Sequence, residues 1–150
     1  MAQSSPSNSD IPCKTSRPWE HLRARLRQVG LRSTRQRMEI GHILFSKSHR
    51  HVTAEMIHAE ATQAKIRVSL ATIYNTLHLF TEAGLLRQIA VDASKAHFDT
   101  NNSDHHRFFI ENHNKLIDIS GADMVVDRTP NPPEGYEIVR IDVLVRLRPK

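Results

Sequence analysis

The chain of 150 residues contains one cysteine, Cys13, and no apolar run that approaches the length of a membrane-spanning helix. A single cysteine excludes an internal disulfide and an all-cysteine metal site within one chain. About 20 consecutive apolar residues are needed to cross a bilayer, and the opening MAQSSPSNSD lacks the basic start and apolar stretch of a signal peptide. We therefore expect a cytoplasmic protein with no membrane partner.

Common catalytic motifs are also lacking. The sequence has only five glycines and contains no Gly-rich phosphate loop, no GxSxG and no HExxH, which argues against the enzyme classes that need them. One catalytic alternative stays open, because His105 and His106 with Asp99, Asp104 and Asp118 could hold the metal of a metal-dependent hydrolase. The patterns described next favour a protein that is not an enzyme.

Histidine and positive charge are abundant instead. The chain has ten histidines and a net charge of +5, with 14 Lys and Arg against 8 Asp and Glu in residues 1–100 and 7 against 8 in residues 101–150. Residues 17–50 alone carry nine basic side chains and two acidic ones. Clustered positive charge attracts phosphates, so the first half is the candidate nucleic-acid-binding half, although such a run also fits a solvated helix surface.

Local patterns divide the chain into three parts. Residues 1–16 are rich in Ser, Pro and Asn and predict a flexible arm, because they contain too few apolar residues to form a core. Residues 17–100 have helical spacing followed by two short strands, which predicts a winged-helix DNA-binding domain. Residues 101–150 predict a small α/β dimerisation domain. The expected fold class is α+β.

The helix signals of the first domain are specific. Four helices are predicted. Thr34, Thr53 and Ser69 are expected to cap the starts of the second, third and fourth helices, and Gly30 and Gly84 to end the first and the fourth. The apolar positions expected to face the core follow helical spacing in each helix: Trp19, Leu22, Leu26, Val29; Met38, Ile40, Gly41, Ile43, Leu44; Met56, Ile57, Ala61; Leu70, Ile73, Leu77, Phe80. Strands are expected over 86–91 and 96–99, around a turn at 92–95.

The second domain has strand patterns. Strands are expected over 107–110 and 115–119, and a long alternation over 139–147 predicts a final strand with one buried face. A three-stranded sheet of this size buries too little apolar surface to be stable alone. We therefore predict a homodimer formed through this domain.

The fourth helix presents small and polar residues opposite its apolar stripe, as a major-groove recognition helix does. Tyr74 could contact a thymine methyl and Asn75 could form a bidentate pair with adenine, whereas Arg35, Arg37 and Lys95 could contact phosphates. Packing at the helix edge for Tyr74 and solvation for Asn75 are the alternatives. The predicted DNA-binding residues are Arg35, Arg37, Ser69, Ala71, Thr72, Tyr74, Asn75 and Lys95.

Several histidines lie near carboxylates at the boundary between the two halves. His51 precedes the third helix, Asp99 ends the second strand, and His105 and His106 open the second domain. Imidazoles and carboxylates are suitable ligands for Fe, Mn or Zn, and ligands from both halves would let a metal fix their relative orientation. Solvated surface histidines are the alternative.

Several motifs together resemble the ferric uptake regulator superfamily. They are GLRSTRQR at 30–37, HVTAE at 51–55, VSLATIY at 68–74 and EAGL at 82–85. Within that superfamily, FDTN at 98–101, DHH at 104–106, LIDI at 116–119 and PEGYEI at 133–138 resemble the iron response regulators of alphaproteobacteria. Asn75, where most of the superfamily have arginine, also fits that branch.

The resemblance implies an iron- and haem-responsive transcription factor that binds double-stranded operator DNA as a dimer when iron is scarce and is disabled by haem. It also implies that the dimerisation domain of residues 101–150 senses metal or haem. A manganese-, zinc- or Fe(II)-responsive repressor is the alternative within the superfamily. Matched position by position, the implied metal ligands are His51, Asp99, His105 and Asp118, with His106 as an alternative or additional ligand.

The chain departs from its relatives at three places. Ile110 and His113 stand where zinc-containing members have a CxxC pair, so the resemblance implies no structural zinc site made of four cysteines. Residues 17–19 read RPW, without the Cys-Pro pair that some iron response regulators use for haem. The branch's run of three histidines is reduced to two, with Arg107 in the third place.

Overall fold

The computed structural model describes residues 17–91 and 95–150, which form four helices and six short strands. The predicted arm with Cys13 and most of the predicted turn at 92–95 lie outside the described residues. The elements in chain order are α1 (Arg17–Gln28), α2 (Arg35–Phe45), β1 (His51–Val52), α3 (Ala54–Gln63), α4 (Leu70–Glu82), β2 (Arg87–Ile89), β3 (His97–Asp99), β4 (His106–Ile110), β5 (Lys115–Ile119) and β6 (Leu144–Leu147).

The helix ends follow the predicted signals. The hydroxyls of Thr34, Thr53 and Ser69 each accept a hydrogen bond from the backbone N–H three residues later and cap α2, α3 and α4. Gly30 and Gly84 have φ values of +76° and +81°, a conformation that favours glycine, just after α1 and α4. These caps and stops confirm four predicted helices.

One core is shared by the four helices and the first sheet, and it includes nearly all the apolar positions predicted from helical spacing. Its largest fully buried side chains include Phe80, Phe98 and Leu26. The prediction for Met56 is wrong, because this side chain is 44% exposed. Ile57 and Ala61 lie four residues apart on the buried face of α3, and Met56, about 100° around the helix from Ile57, lies outside that face.

The first sheet has the order β1-β3-β2, and all its pairs are antiparallel. Asp99 lies at the centre of this small sheet, because it is the register partner of both His51 and Arg87. The β2–β3 pair closes the helical half in the order that the sequence predicts.

The second sheet has the order β5-β4-β6, with β4 antiparallel to β5 and parallel to β6. Phe109 and Leu116 pack against Ile89 and Val91, so a small second core joins the two sheets. The helical part of the α/β domain predicted for residues 101–150 is not found, because this segment contains strands, turns and extended chain but no helix. The molecule as a whole is α+β, as predicted.

The predicted long strand over 139–147 is wrong for its first half, because β6 contains only Leu144–Leu147. The register pairs Arg107 with Leu144 and Ile110 with Leu147, so β6 begins where β4 can pair with it. The residues before Val143 alternate in polarity, but they lie beyond the start of β4. They therefore cannot pair with the β4 backbone. Among the described residues, no helix is long and apolar enough to cross a membrane.

Candidate metal and DNA-binding sites

Four side chains from four places in the chain converge where the two sheets meet. They are His51 in β1, Asp99 at the end of β3, His105 immediately before β4, and Asp118 in β5, and their ligand atoms all lie within 4.8 Å of one another. Backbone pairing sets this arrangement, because His51 and Asp99 are register partners in the first sheet. We call these four residues the junction cluster.

The two imidazoles of the junction cluster lie between its two carboxylates. Asp118 Oδ1 is 2.9 Å from His51 Nε2 and 2.8 Å from His105 Nε2, and Asp99 Oδ2 is 3.2 Å from each of these nitrogens. The Asp99 side chain is 1% exposed and that of Asp118 is 39% exposed, so solvent reaches the cluster mainly at Asp118. Two imidazole nitrogens and two carboxylate oxygens are a donor set that fits Fe²⁺, Mn²⁺ or Zn²⁺.

A fifth polar side chain, Arg107 in β4, reaches the same place. Its side chain is 3% exposed, and it donates to Asp99 Oδ2 from Nη2 at 2.6 Å and from Nε at 3.2 Å. Its Nη1 also donates to the carbonyl oxygen of His105 at 3.3 Å. No role for Arg107 was predicted from the sequence. Its signal was the strand alternation, which places residue 107 on the same inward face of β4 as Phe109.

The environment of Asp99 keeps its carboxylate charged. Burial raises the pKa of Asp99, but hydrogen bonds from His51, from Arg107 and from the Asn101 backbone N–H outweigh that effect and lower the pKa to about 2. The Asn101 N–H donates to Oδ1 at 2.8 Å, while Oδ2 faces the imidazoles and the guanidinium. Asp99 is therefore an anion throughout the physiological pH range.

His106, which the family resemblance implies as an alternative or additional metal ligand, is not part of the junction cluster. Neighbouring residues of a strand point to opposite faces, and His106 precedes the inward-facing Arg107. Its Nδ1 accepts a hydrogen bond from the Val143 backbone N–H at 3.1 Å. Asp104, named for the hydrolase alternative, instead pairs with Arg87 at 3.1 Å.

A second site lies on the helices. A groove of about 480 Å³ runs between the start of α2 and the outer face of α4, and it brings together four predicted DNA-binding residues, Arg35, Arg37, Thr72 and Asn75. Arg35 Nε lies 3.1 Å from a carboxylate oxygen of Glu39. Ala71 and Asn75 are exposed on α4, whereas the Ser69 hydroxyl is used as the helix cap.

Tyr74 lies at the edge of α4, half-buried, as its position in the sequence predicts. Its hydroxyl donates to Glu55 Oε1 at 2.9 Å, and this hydrogen bond raises the pKa of Tyr74. The pKa of Glu55 is lowered, first by a hydrogen bond from its own backbone N–H, and further by the hydrogen bond from Tyr74 and by the charge of the exposed Lys95. Glu55 was not predicted as the partner of Tyr74, because no local pattern links residues 19 positions apart.

Comparison with known proteins places this arrangement in a family. The sequence model of the ferric uptake regulator family matches residues 28–145, a span that includes the junction cluster and the groove. The chain belongs to the ferric uptake regulator family. It is 37% identical over 95 residues to the peroxide-responsive repressor PerR of Staphylococcus aureus, an alignment that covers 63% of this chain and 64% of that protein.

Solved structures agree with this assignment. The ferric uptake regulator of Pseudomonas aeruginosa, solved with manganese, has a TM-score of 0.68 and 26% identity, with 86% of this chain and 98% of that chain covered. The Vibrio cholerae ferric uptake regulator has a TM-score of 0.67 and 17% identity over 84% of this chain and 98% of that chain. At that identity, the second comparison shows the fold alone.

Proposed function

We propose that this chain is a metal-responsive transcriptional regulator that binds double-stranded operator DNA as a homodimer. The observation that carries the proposal is the junction cluster, in which ligands from the helical half and from the second sheet meet within 4.8 Å. A site of this kind links metal binding to the relative orientation of the two halves, because its ligands are brought together in one arrangement only. Family membership favours regulation over the hydrolase alternative.

In this proposal, residues 17–100 form a winged-helix DNA-binding domain and α4 is its recognition helix. The exposed Ala71 and Asn75 allow close approach to base edges, and Asn75 can form a bidentate pair with adenine. The hydrogen bond from Tyr74 to Glu55 limits the orientations of the tyrosine ring before DNA arrives. Arg35 and Arg37, which line the same groove, contact phosphates.

The homodimer is proposed to form through residues 101–150. Large apolar side chains are exposed along this segment, including Val125, Tyr136, Ile138, Val139 and Ile141. Several large apolar side chains exposed within one segment of the chain are typical of an interface with another chain. The alternation from 139 to 143 continues the β6 pattern and offers a backbone that a second copy can pair with.

At the junction cluster, His51, Asp99, His105 and Asp118 are the proposed ligands of a divalent cation. Bound there, the cation would supply the charge that attracts both carboxylates and both imidazoles at once. Asp99 provides an anionic oxygen at all relevant pH values, since its pKa is about 2. Asp118, the most exposed of the four, provides the side from which a cation enters.

A finer proposal assigns the chain to the iron response regulators, which act when iron is scarce and respond to haem. It is supported by the sequence motifs given above and by Asn75, which is exposed beside Tyr74 on α4. Manganese-, zinc- or Fe(II)-responsive repression within the same family is the alternative. The relatives named above include a peroxide-responsive repressor and a ferric uptake regulator solved with manganese.

Substitutions on α4 and α2 test the DNA-binding proposal. Affinities are measured for a duplex selected from a random-sequence pool and for a scrambled duplex of the same composition. We expect Asn75→Ala to weaken binding to the selected duplex by about 10- to 100-fold and to leave the scrambled duplex unaffected, because it removes a base contact. We expect Arg37→Ala to weaken both equally and to reduce the salt dependence by about one phosphate contact.

The matched control is Glu82→Ala, an exposed change two turns further along the same face of α4. It should change neither affinity by more than a small factor. Equal loss of both affinities in Asn75→Ala would show that Asn75 reads no base.

Haem titration tests the finer proposal. If haem is the signal, operator affinity should fall as the Soret band of bound haem develops, with both curves having the same midpoint. A divalent metal should leave the affinity unchanged or increase it. Haem that binds without any change in operator affinity would contradict a role as the signal and leave the alternative of a metal-responsive repressor.

A further inference from the structure

We propose that Arg107 acts as a built-in cation in the junction cluster, so that the chain keeps its DNA-binding arrangement when metal is absent and binds divalent metal weakly. This inference rests on the proposed metal site and concerns a residue that is not among its ligands. The buried guanidinium contacts the same carboxylate oxygen, Asp99 Oδ2, that lies 3.2 Å from both imidazoles. Any metal ligated by that oxygen would meet Arg107 at one of its own ligand atoms.

Charge gives the first reason. The two carboxylates of the cluster carry two negative charges, and the arginine, which is always protonated in proteins, cancels one of them. A divalent cation in the cluster therefore meets one net negative charge instead of two, together with repulsion from a guanidinium that is 3% exposed and weakly screened. The expected consequence is lower affinity for divalent metal than the same four ligands would have without Arg107.

Connectivity gives the second reason. Arg107 belongs to β4 in the second sheet, and Asp99 belongs to β3 in the first. Their hydrogen bonds of 2.6 and 3.2 Å join the two sheets, and the bond from Nη1 to the His105 carbonyl also fixes the segment that carries a cluster histidine. The chain thus contains a covalently attached positive charge in the position where a cation would otherwise link the halves.

The third reason is that the contact is built into the fold. Arg107 occupies an inward-facing position of β4, where its neighbour on the same face is the buried Phe109. A buried arginine is costly unless it is paired, and this one uses all three of its nitrogens on Asp99 and the His105 carbonyl. The guanidinium is therefore held at the cluster and is not a surface group that visits it.

The test compares wild type with Arg107→Gln and Arg107→Lys, using the full chain. Mn²⁺ affinity is measured by calorimetric titration, and thermal melting and DNA affinity are measured in chelator and in Mn²⁺. We expect Arg107→Gln to bind Mn²⁺ at least about tenfold more tightly than wild type, since it removes the competing charge. Arg107→Lys, which keeps the charge, should remain close to wild type.

We also expect wild type to keep its Tm and its DNA affinity in chelator. Arg107→Gln should lose both in chelator and regain them in Mn²⁺, including the case in which it folds only when Mn²⁺ is present. If Arg107→Gln folds neither in chelator nor in Mn²⁺, the DNA affinity of the wild type in chelator is the deciding measurement. An unchanged affinity supports the inference, and a loss of affinity overturns it.

Two results separate failure of this inference from failure of the proposed metal site. Equal Mn²⁺ affinity in wild type and Arg107→Gln would leave the metal site intact and overturn the role of Arg107. No Mn²⁺ binding by either protein would overturn both.

Discussion

Replacing Asp99 by alanine is expected to reduce the free energy of unfolding by about 3–5 kcal/mol, because the buried guanidinium of Arg107 loses its nearest carboxylate and keeps only Asp118, 3.7 Å from its Nε. Asp99 is 1% exposed. Its carboxylate accepts hydrogen bonds from Arg107 and lies against both imidazoles of the cluster. Removing it also leaves the Asn101 backbone N–H without its acceptor. Urea denaturation of wild type and variant, followed by circular dichroism, measures the difference.

The matched control is Asp118→Ala, which removes the other carboxylate of the cluster. Because Asp118 is 39% exposed, we expect it to cost about 1 kcal/mol or less. Protonation offers a second check, since a carboxyl whose pKa is lowered on folding stabilises the fold at high pH. The contribution of Asp99 is complete above its usual pKa of 3.8 and is lost as the pH falls towards about 2, so the difference between wild type and Asp99→Ala should shrink over that range. Equal costs for the two substitutions would contradict the structural role assigned to the Asp99–Arg107 pair.

Replacing Val139 by aspartate is expected to convert the dimer into monomers and to weaken binding to an inverted-repeat operator by about 100-fold or more, since linked half-sites lose their shared affinity. Val139 is 88% exposed within one chain, so the change should not disturb the fold of that chain. In a dimer interface it would bury an unpaired charge. Sedimentation gives the oligomeric state, and fluorescence anisotropy gives the affinity.

Asn112→Asp is the matched control, because it adds the same charge at an exposed turn between β4 and β5. It should remain dimeric and bind the operator normally. If Val139→Asp is a folded dimer with unchanged affinity, the interface lies on another surface.

Local signals predicted the helical half well. Thr34, Thr53 and Ser69 cap helices, and Gly30 and Gly84 follow helix ends. Each of these signals acts within about one helical turn, so the helix ends can be predicted from neighbouring residues alone. The burial of Ile73, Leu77 and Phe80 follows from their spacing on one face of α4.

Features that depend on partners distant in sequence were predicted less well. The length of β6 is set by how far β4 extends beside it, which alternation within 139–147 does not encode. His106 was grouped with His105, but adjacent strand residues face opposite sides and only His105 reaches the junction cluster. The role of Arg107 was not predicted because it depends on contact with Asp99, which lies eight residues away on a strand of the other sheet.

The most direct test of the central claim is selection of binding sites from a random-sequence duplex pool by the wild-type chain, carried out in parallel in chelator and in Mn²⁺. A dimeric regulator with α4 in the major groove should enrich an inverted repeat whose half-sites are separated by about one helical turn or a multiple of it. Tyr74→Ala with Asn75→Ala should lose that enrichment and retain salt-sensitive binding to any duplex. Recovery of no common sequence by the wild type in either condition, or of the same sequence by the double variant, would contradict the proposal that this chain reads DNA through α4.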